Sequence, residues 1–245
     1  MIKLVVDKTW VERATRWACR RVQHTIDRSN MNLRGLTERL DDIVMGEIGS
    51  AAVAQFLVNR GNCVIAYDEV RRDGNLEPDP GWDLVVGPAL DQWPKEDSDV
   101  RTPPVSAHTI SVKTSRIPKA DNDSVELAIE RRDFKVFKKS EAIEDDLSSD
   151  YESQIYYPLY ESKMRDTQNI TQTLVATEAV EEINSLLRLG ERYGRCFLTG
   201  FVSKETLVDH SQSLIEAQKS PYWTSWHGGE AKEMWSAPLH IGRLP

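Results

Sequence analysis

Apolar and polar positions divide the chain into a helix-rich first quarter, a strand-rich middle and a mixed final third. Across residues 9–27, Trp10, Ala14, Trp17 and Val22 fall roughly on one side with arginines elsewhere, which predicts an amphipathic helix. After a polar break at 30–35, Thr37 is placed to N-cap a long helix ending at Gly61, where a left-handed residue is expected. Along that helix Leu40, Ile43, Glu47, Ala51, Ala54 and Val58 recur at spacings of three and four. Glu47 therefore lies inside an apolar stripe. Charged residues are almost never fully buried unless paired, and Ile43 and Ala51, four residues to either side, offer no partner.

Three strands follow. Residues 63–67 are β-branched, 82–86 come after a turn-dense stretch at 73–81, and 108–114 come after a long polar insertion at 87–106. Residues 125–129 read as a continuation of this meander. Residues 152–160 alternate Ile155, Tyr157 and Leu159 on one face, a strand in which Gln154 is expected to be exposed. A helix over 177–192, a strand over 196–201 and an edge strand over 237–241 complete the pattern, with Trp223, Trp226 and Trp235 expected in the core. This order predicts an α/β fold, a mixed central β-sheet flanked by helices. The chain reads as one domain over 1–245. It comprises a basic helical N-terminal extension (1–35), a core (36–203) and an aromatic-rich C-terminal extension (204–245).

Composition narrows the setting. No apolar run approaches 18 residues, so no membrane span is expected. The opening MIKLVVDKTW is too polar for a secretory leader. Cys19, Cys63 and Cys196 are far apart and lack C-x-x-C spacing, which points to reduced thiols and a cytoplasmic location. The net charge of -8 does not favour a polyanionic partner, but its distribution is uneven. Residues 1–36 hold eight basic and three acidic residues, whereas 141–166 hold two basic and eight acidic. Arg131, Arg132, Lys135, Lys138 and Lys139 form a second basic group.

Two short segments carry the candidate chemistry, Trp82-Asp83-Leu84-Val85-Val86 and Ile110-Ser111-Val112-Lys113-Thr114. Alternate residues of a strand share a face, so Ser111 and Lys113 point together, and Asp83 converges with them if the two strands are neighbours. Carboxylates with a nearby lysine suit Mg²⁺-dependent phosphodiester hydrolysis: oxygen ligands hold the ion, and the ammonium positions water or offsets phosphate charge. A Ser-Lys hydrolase dyad is less favoured, because two residues two apart on a strand control nucleophile geometry poorly. The histidines His24, His108, His210, His227 and His240 are scattered without ligand spacing, although His108 starts the Ser-x-Lys strand.

The order of a helix glutamate, a strand aspartate and a strand x-x-Lys resembles the PD-(D/E)xK nuclease superfamily, over about residues 37–115. Glu47, Asp83 and Lys113 match its motif. Trp82 replaces the proline before the aspartate, and Ser111 replaces the acidic residue two before the lysine. The resemblance implies a restriction-endonuclease-like α-β-β-β-α-β core and Mg²⁺ held by Asp83 and Glu47. It also implies sequence-specific cleavage of double-stranded DNA by a homodimer. Ser-x-Lys members of the superfamily draw the missing glutamate from a later segment. Glu126 is preferred here over Glu130, with Ser111 acting through its hydroxyl. Base readout falls to the 87–106 insertion and to a 115–124 loop containing Arg116, Lys119 and Asn122. The alternatives are a structure-specific nuclease (a junction resolvase or transposon end nuclease) and an inactive nucleic-acid- or protein-binding member of the fold.

Overall fold

The computed structural model describes residues 1–25, 34–72, 79–88, 90, 93, 99–117, 124–158, 170–227 and 230–243, with side chains left out at 225–227 and 230–232. Six strands form the main sheet: β1 (Ile2–Val5), β2 (Val64–Ala66), β3 (Leu84–Val86), β4 (His108–Ile117), β6 (Tyr151–Pro158) and β7 (Arg195–Ser203). Their order is β1-β7-β6-β4-β3-β2, with β4 and β6 parallel and every other neighbouring pair antiparallel. This is the expected mixed α/β arrangement, a curled mixed sheet flanked by helices. The strands β5 (Asp133–Phe137), β8 (Tyr222–His227) and β9 (Glu230–Pro238) make a second, three-stranded antiparallel sheet that the sequence pattern did not reveal.

One face of the main sheet is covered by α1 (Lys8–Val22) and α2 (Leu36–Val58). Val11, Ala14, Ala18, Leu40, Val44, Ile48 and Val53 from these helices pack with Leu84, Ile110, Ile155 and Leu198 in a single core. The short helices α6 (Gln172–Ala176), α7 (Val180–Leu186) and α8 (Leu189–Tyr193) join the same core through Val175, Ile183, Leu189 and Tyr193. The segment set apart in sequence as an N-terminal extension thus contributes an edge strand and a core helix. On the other side, Phe134, Val136, Val202, Leu207 and Trp235 form a smaller cluster beneath the second sheet and α9 (Lys204–Glu216).

Helix α2 lies close against β4 at Gly49. A Cβ there would sit 2.3 Å from Thr114 Cγ2, so only glycine lets α2 lie this near β4. Gly61 takes the expected left-handed conformation (φ 83°), but α2 itself ends at Val58 with Asn59 as C-cap, and its N-cap is Gly35, which leaves Thr37 inside the first turn rather than capping it.

Several expectations fail for local reasons. Residues 125–129 form a helix, α4 (Val125–Glu130), because the Ser124 hydroxyl caps it by accepting from the Leu127 N–H at 3.2 Å. The helix expected over 177–192 is two helices, broken where Arg188 adopts a left-handed conformation (φ 52°). The closing strand ends at Pro238 and is followed by a turn of 3₁₀ helix, Leu239–Ile241. Gln154 is buried rather than exposed, and its amide donates to Ser115 Oγ and Ile155 O. Trp235 is in the core, Trp223 is exposed, and the Trp226 side chain lies outside the described residues. No described helix is long and apolar enough to cross a membrane.

Candidate functional site

The strand residues singled out in the sequence meet across β3 and β4, and β6 adds a further carboxylate. Leu84 pairs with Ile110, which sets Asp83 across from Ser111 one step along the ladder, and Ser111 in turn pairs with Glu152 on β6. Ile110 packs against the α2 side, so Ser111 and Lys113 point to the opposite face. The result is a row of Asp83, Ser111 and Glu152, with Lys113 one alternation further along β4.

Each member of the row is pinned. Asp83 Oδ2 accepts the Val112 N–H at 2.6 Å. The Lys113 ammonium donates to Ser111 Oγ at 2.7 Å and lies 3.5 Å from Glu152 Oε2. Glu152 Oε1 accepts from the Ser149 hydroxyl at 3.0 Å, while the buried Oε2 accepts no hydrogen bond among the described residues. The Lys113 ammonium is the cation that offsets the charge of this buried oxygen, at a distance longer than a hydrogen bond. Burial holds the carboxyl of Glu152 above its ordinary range, against the pull of Lys113, and burial does the same to Asp83.

Glu152 is the site residue that the sequence reading passed over. It had been absorbed into the strand pattern of 152–160, and nothing in the motif marks it. Only the parallel pairing of β4 with β6, a contact across 41 residues of chain, puts it beside Ser111.

Glu47 belongs to a second cluster that touches the first through Asp83. The Arg21 guanidinium, from α1, binds Glu47 and Asp79 directly and lies 3.4 Å from Asp68. Arg71 bridges Asp68 at 3.3 Å and Asp79 at 2.9 Å. Asp68 and Arg71 sit on and just after α3 (Tyr67–Val70), and Asp79 precedes β3. Glu47 thus has a partner after all, but from a different helix. Burial and the adjacent Asp68 carboxylate, to which Glu47 is hydrogen-bonded, hold the Glu47 carboxyl well above the usual range, more than Arg21 offsets. The five carboxylates Glu47, Asp68, Glu69, Asp79 and Asp83 with Arg21 line one pocket, whose walls include Trp10, Trp17 and Trp82.

Other candidate residues lie elsewhere. Glu126 is exposed on α4, whose buried Ala128 and Ile129 pack with Ile117. Ile117 is four residues beyond Lys113, roughly 13 Å along an extended strand. Glu126 is therefore displaced from the row, and Glu130, also exposed on α4, shares its position. Arg116 is a structural residue rather than a base reader. Its guanidinium donates to Asp41 at 2.9 Å, Asp42 at 2.7 Å and Tyr193 Oη at 2.8 Å. Burial works against its charge, but Tyr193 with the Asp41 and Asp42 carboxylates together holds its pKa above the ordinary value. Lys119 and Asn122 lie outside the described residues, as does part of the 87–106 insertion.

No family model matches this chain, and no curated protein or solved structure matches it. Its chemistry is read from its own residues.

The donor set suits a hard divalent cation. It consists of oxygen ligands, largely desolvated, with one buried oxygen of Glu152 that accepts no hydrogen bond among the described residues and faces the Lys113 ammonium at 3.5 Å. Among the described residues no three acidic, His or Cys side chains form a ready-made ligand cage. In the present arrangement Arg21 supplies the positive charge beside Glu47.

Proposed function

We propose that the chain is a Mg²⁺-dependent phosphodiesterase acting on double-stranded DNA, resembling the PD-(D/E)xK nucleases. The observation that carries this reading is the convergence of Asp83, Ser111, Lys113 and Glu152 from three strands, with a buried carboxylate oxygen of Glu152 facing the lysine. The β2-β3-β4 meander followed by the parallel β6 supports the finer reading of a restriction-endonuclease-like core.

Asp83 and Glu152 would hold Mg²⁺, with Glu47 joining them once released from Arg21. When bound, the ion offsets the charge that builds on the phosphoryl group during attack. Lys113 then has two tasks. Its ammonium, fixed by Ser111 Oγ, orients the attacking water and donates to a phosphate oxygen. Ser111 does not replace the missing acid; it aims the lysine. Glu152 supplies the carboxylate from the neighbouring strand at the paired position. The Val112 N–H fixes the Asp83 carboxylate, so little reorganisation is needed on binding.

A palindromic target would call for a homodimer. The test is purified protein on long, varied, unmethylated duplex DNA with Mg²⁺ or EDTA, beside a four-way junction. Discrete duplex fragments only with Mg²⁺ support a sequence-specific endonuclease. Cleavage confined to the junction selects the structure-specific alternative.

A second reading, a nucleic-acid- or protein-binding chain without catalysis, is favoured by one observation. Arg21 already satisfies Glu47 and, with Arg71, Asp68 and Asp79. Intact DNA under every metal and substrate condition selects that reading.

A further inference from the structure

The second sheet has two faces of opposite character. On its inner face Val136, Trp235 and Tyr222 stand in one cross-strand row, with Val136 and Trp235 buried against Val202 and Leu207. One step along the register, Phe137, Met234 and Trp223 form the matching row on the outer face, spanning all three strands. Phe137 is 52% exposed and Trp223 45% exposed, although a sheet of this kind ordinarily turns polar residues outward.

Positive charge surrounds this row. The Lys135 ammonium lies 3.8 Å from the centre of the Trp223 ring. Arg131 and Arg132 precede β5 and Lys139 follows it, all three exposed. The nearby acids are mostly engaged. Glu233 binds Lys138 at 3.0 Å, and Asp133 accepts from Ser236 at 2.9 Å, while Glu141 is fully exposed 3.9 Å from Lys138. In a chain of net charge -8 this basic, aromatic face is a local reversal of sign.

Flat apolar rings beside cations complement a base attached to a phosphate. The rings stack on the base, and the cations track the backbone. We propose that the outer face of β5-β9-β8 is a stacking platform for unpaired nucleobases of single-stranded nucleic acid. Lys135 holds the Trp223 ring and contributes to backbone binding. The surface is separate from the Asp83–Lys113 row and does not depend on cleavage by it.

The test is fluorescence anisotropy in EDTA with labelled dT12, an abasic 12-mer of the same backbone, and a blunt duplex. Wild type is expected to bind dT12 more tightly than either control. Trp223→Ala and Phe137→Ala should each weaken dT12 binding, roughly 5- to 150-fold for a lost stacking ring. Trp223→Phe should keep most of the affinity, which separates stacking from misfolding, and thermal melts check the fold of each variant. Equal binding of dT12 and the abasic strand would overturn the proposal. So would unchanged dT12 affinity in the ring variants, or binding to anionic vesicles with none to dT12.

Discussion

Replacing Asp41 with alanine should destabilise the protein far more than a surface ion pair would. The Asp41 side chain is fully buried and is the acceptor at the centre of a network joining three elements. Its Oδ1 accepts from Arg192 at 2.6 Å and Tyr193 Oη at 3.0 Å; its Oδ2 accepts from Arg192 and Arg116, each at 2.9 Å. Arg192 is 4% exposed and its Nε has no partner among the described residues, so removing Asp41 leaves a buried guanidinium without its bidentate acceptor. Arg116 keeps Asp42 at 2.7 Å, which limits the damage on that side. Breaking a buried pair from one side costs about 3–5 kcal/mol. At roughly 2 °C per kcal/mol for a chain of this length, the midpoint should fall by about 6–10 °C. Chemical denaturation with fixed slope, beside calorimetry, reads both numbers. Replacing both partners, Asp41→Leu with Arg192→Met, should recover much of the loss, because no lone charge remains. A loss below about 1 kcal/mol for Asp41→Ala would mean that the network is hydrated like a surface pair. Treating Arg116 as a structural residue would then be wrong.

Glu152→Gln should lower Mg²⁺-dependent cleavage at least about tenfold to a hundredfold while leaving thermal stability near neutral pH equal or higher, since a buried acid is removed; steady-state rates beside melts check it. Gly49→Ala should cost about 1–3 kcal/mol by forcing α2 away from Thr114, and adding Thr114→Ser, which removes the obstructing methyl, should restore most of it in denaturant titrations. Burial raises the carboxyls of Glu47, Asp83 and Glu152 above their unfolded range, so the folded chain retains protons the unfolded chain has released. Metal-free stability should therefore fall as pH rises from about 4 through their folded values, and Glu47→Gln should flatten that slope in melts run across pH. A rising slope over that window would contradict the burial assigned to these groups.

The sequence disclosed those features that depend on neighbours in the chain. The long helix α2 and the strand β4 are local features, and both match the fold, although the buried face of α2 runs through Val44, Ile48, Ala52 and Val53 and leaves Ile43 and Ala51 half-buried and Val58 exposed. Asp83, Ser111 and Lys113 were legible because strand alternation and an antiparallel meander bring them together. Glu152 was not, because parallel pairing joins segments far apart and leaves no spacing rule to read. Arg116 was misread for a related reason. An arginine near a strand end looks like a surface cation until Asp41, 75 residues earlier, is seen beneath it. Capping by Ser124 and Ser203 explains α4, which the sequence pattern read as a strand, and α9, which it left within the C-terminal extension. The second sheet escaped because its inner and outer rows are both aromatic, which blurs the alternation that marks a half-buried strand.

The most direct measurement is cleavage of a long duplex by wild type and Lys113→Ala, each with Mg²⁺ and with EDTA. The nuclease reading requires strand scission in one of the four combinations, wild type with Mg²⁺. Scission that survives Lys113→Ala would show that this row is not the catalytic centre, and none in any combination would leave the chain a binder rather than a duplex endonuclease.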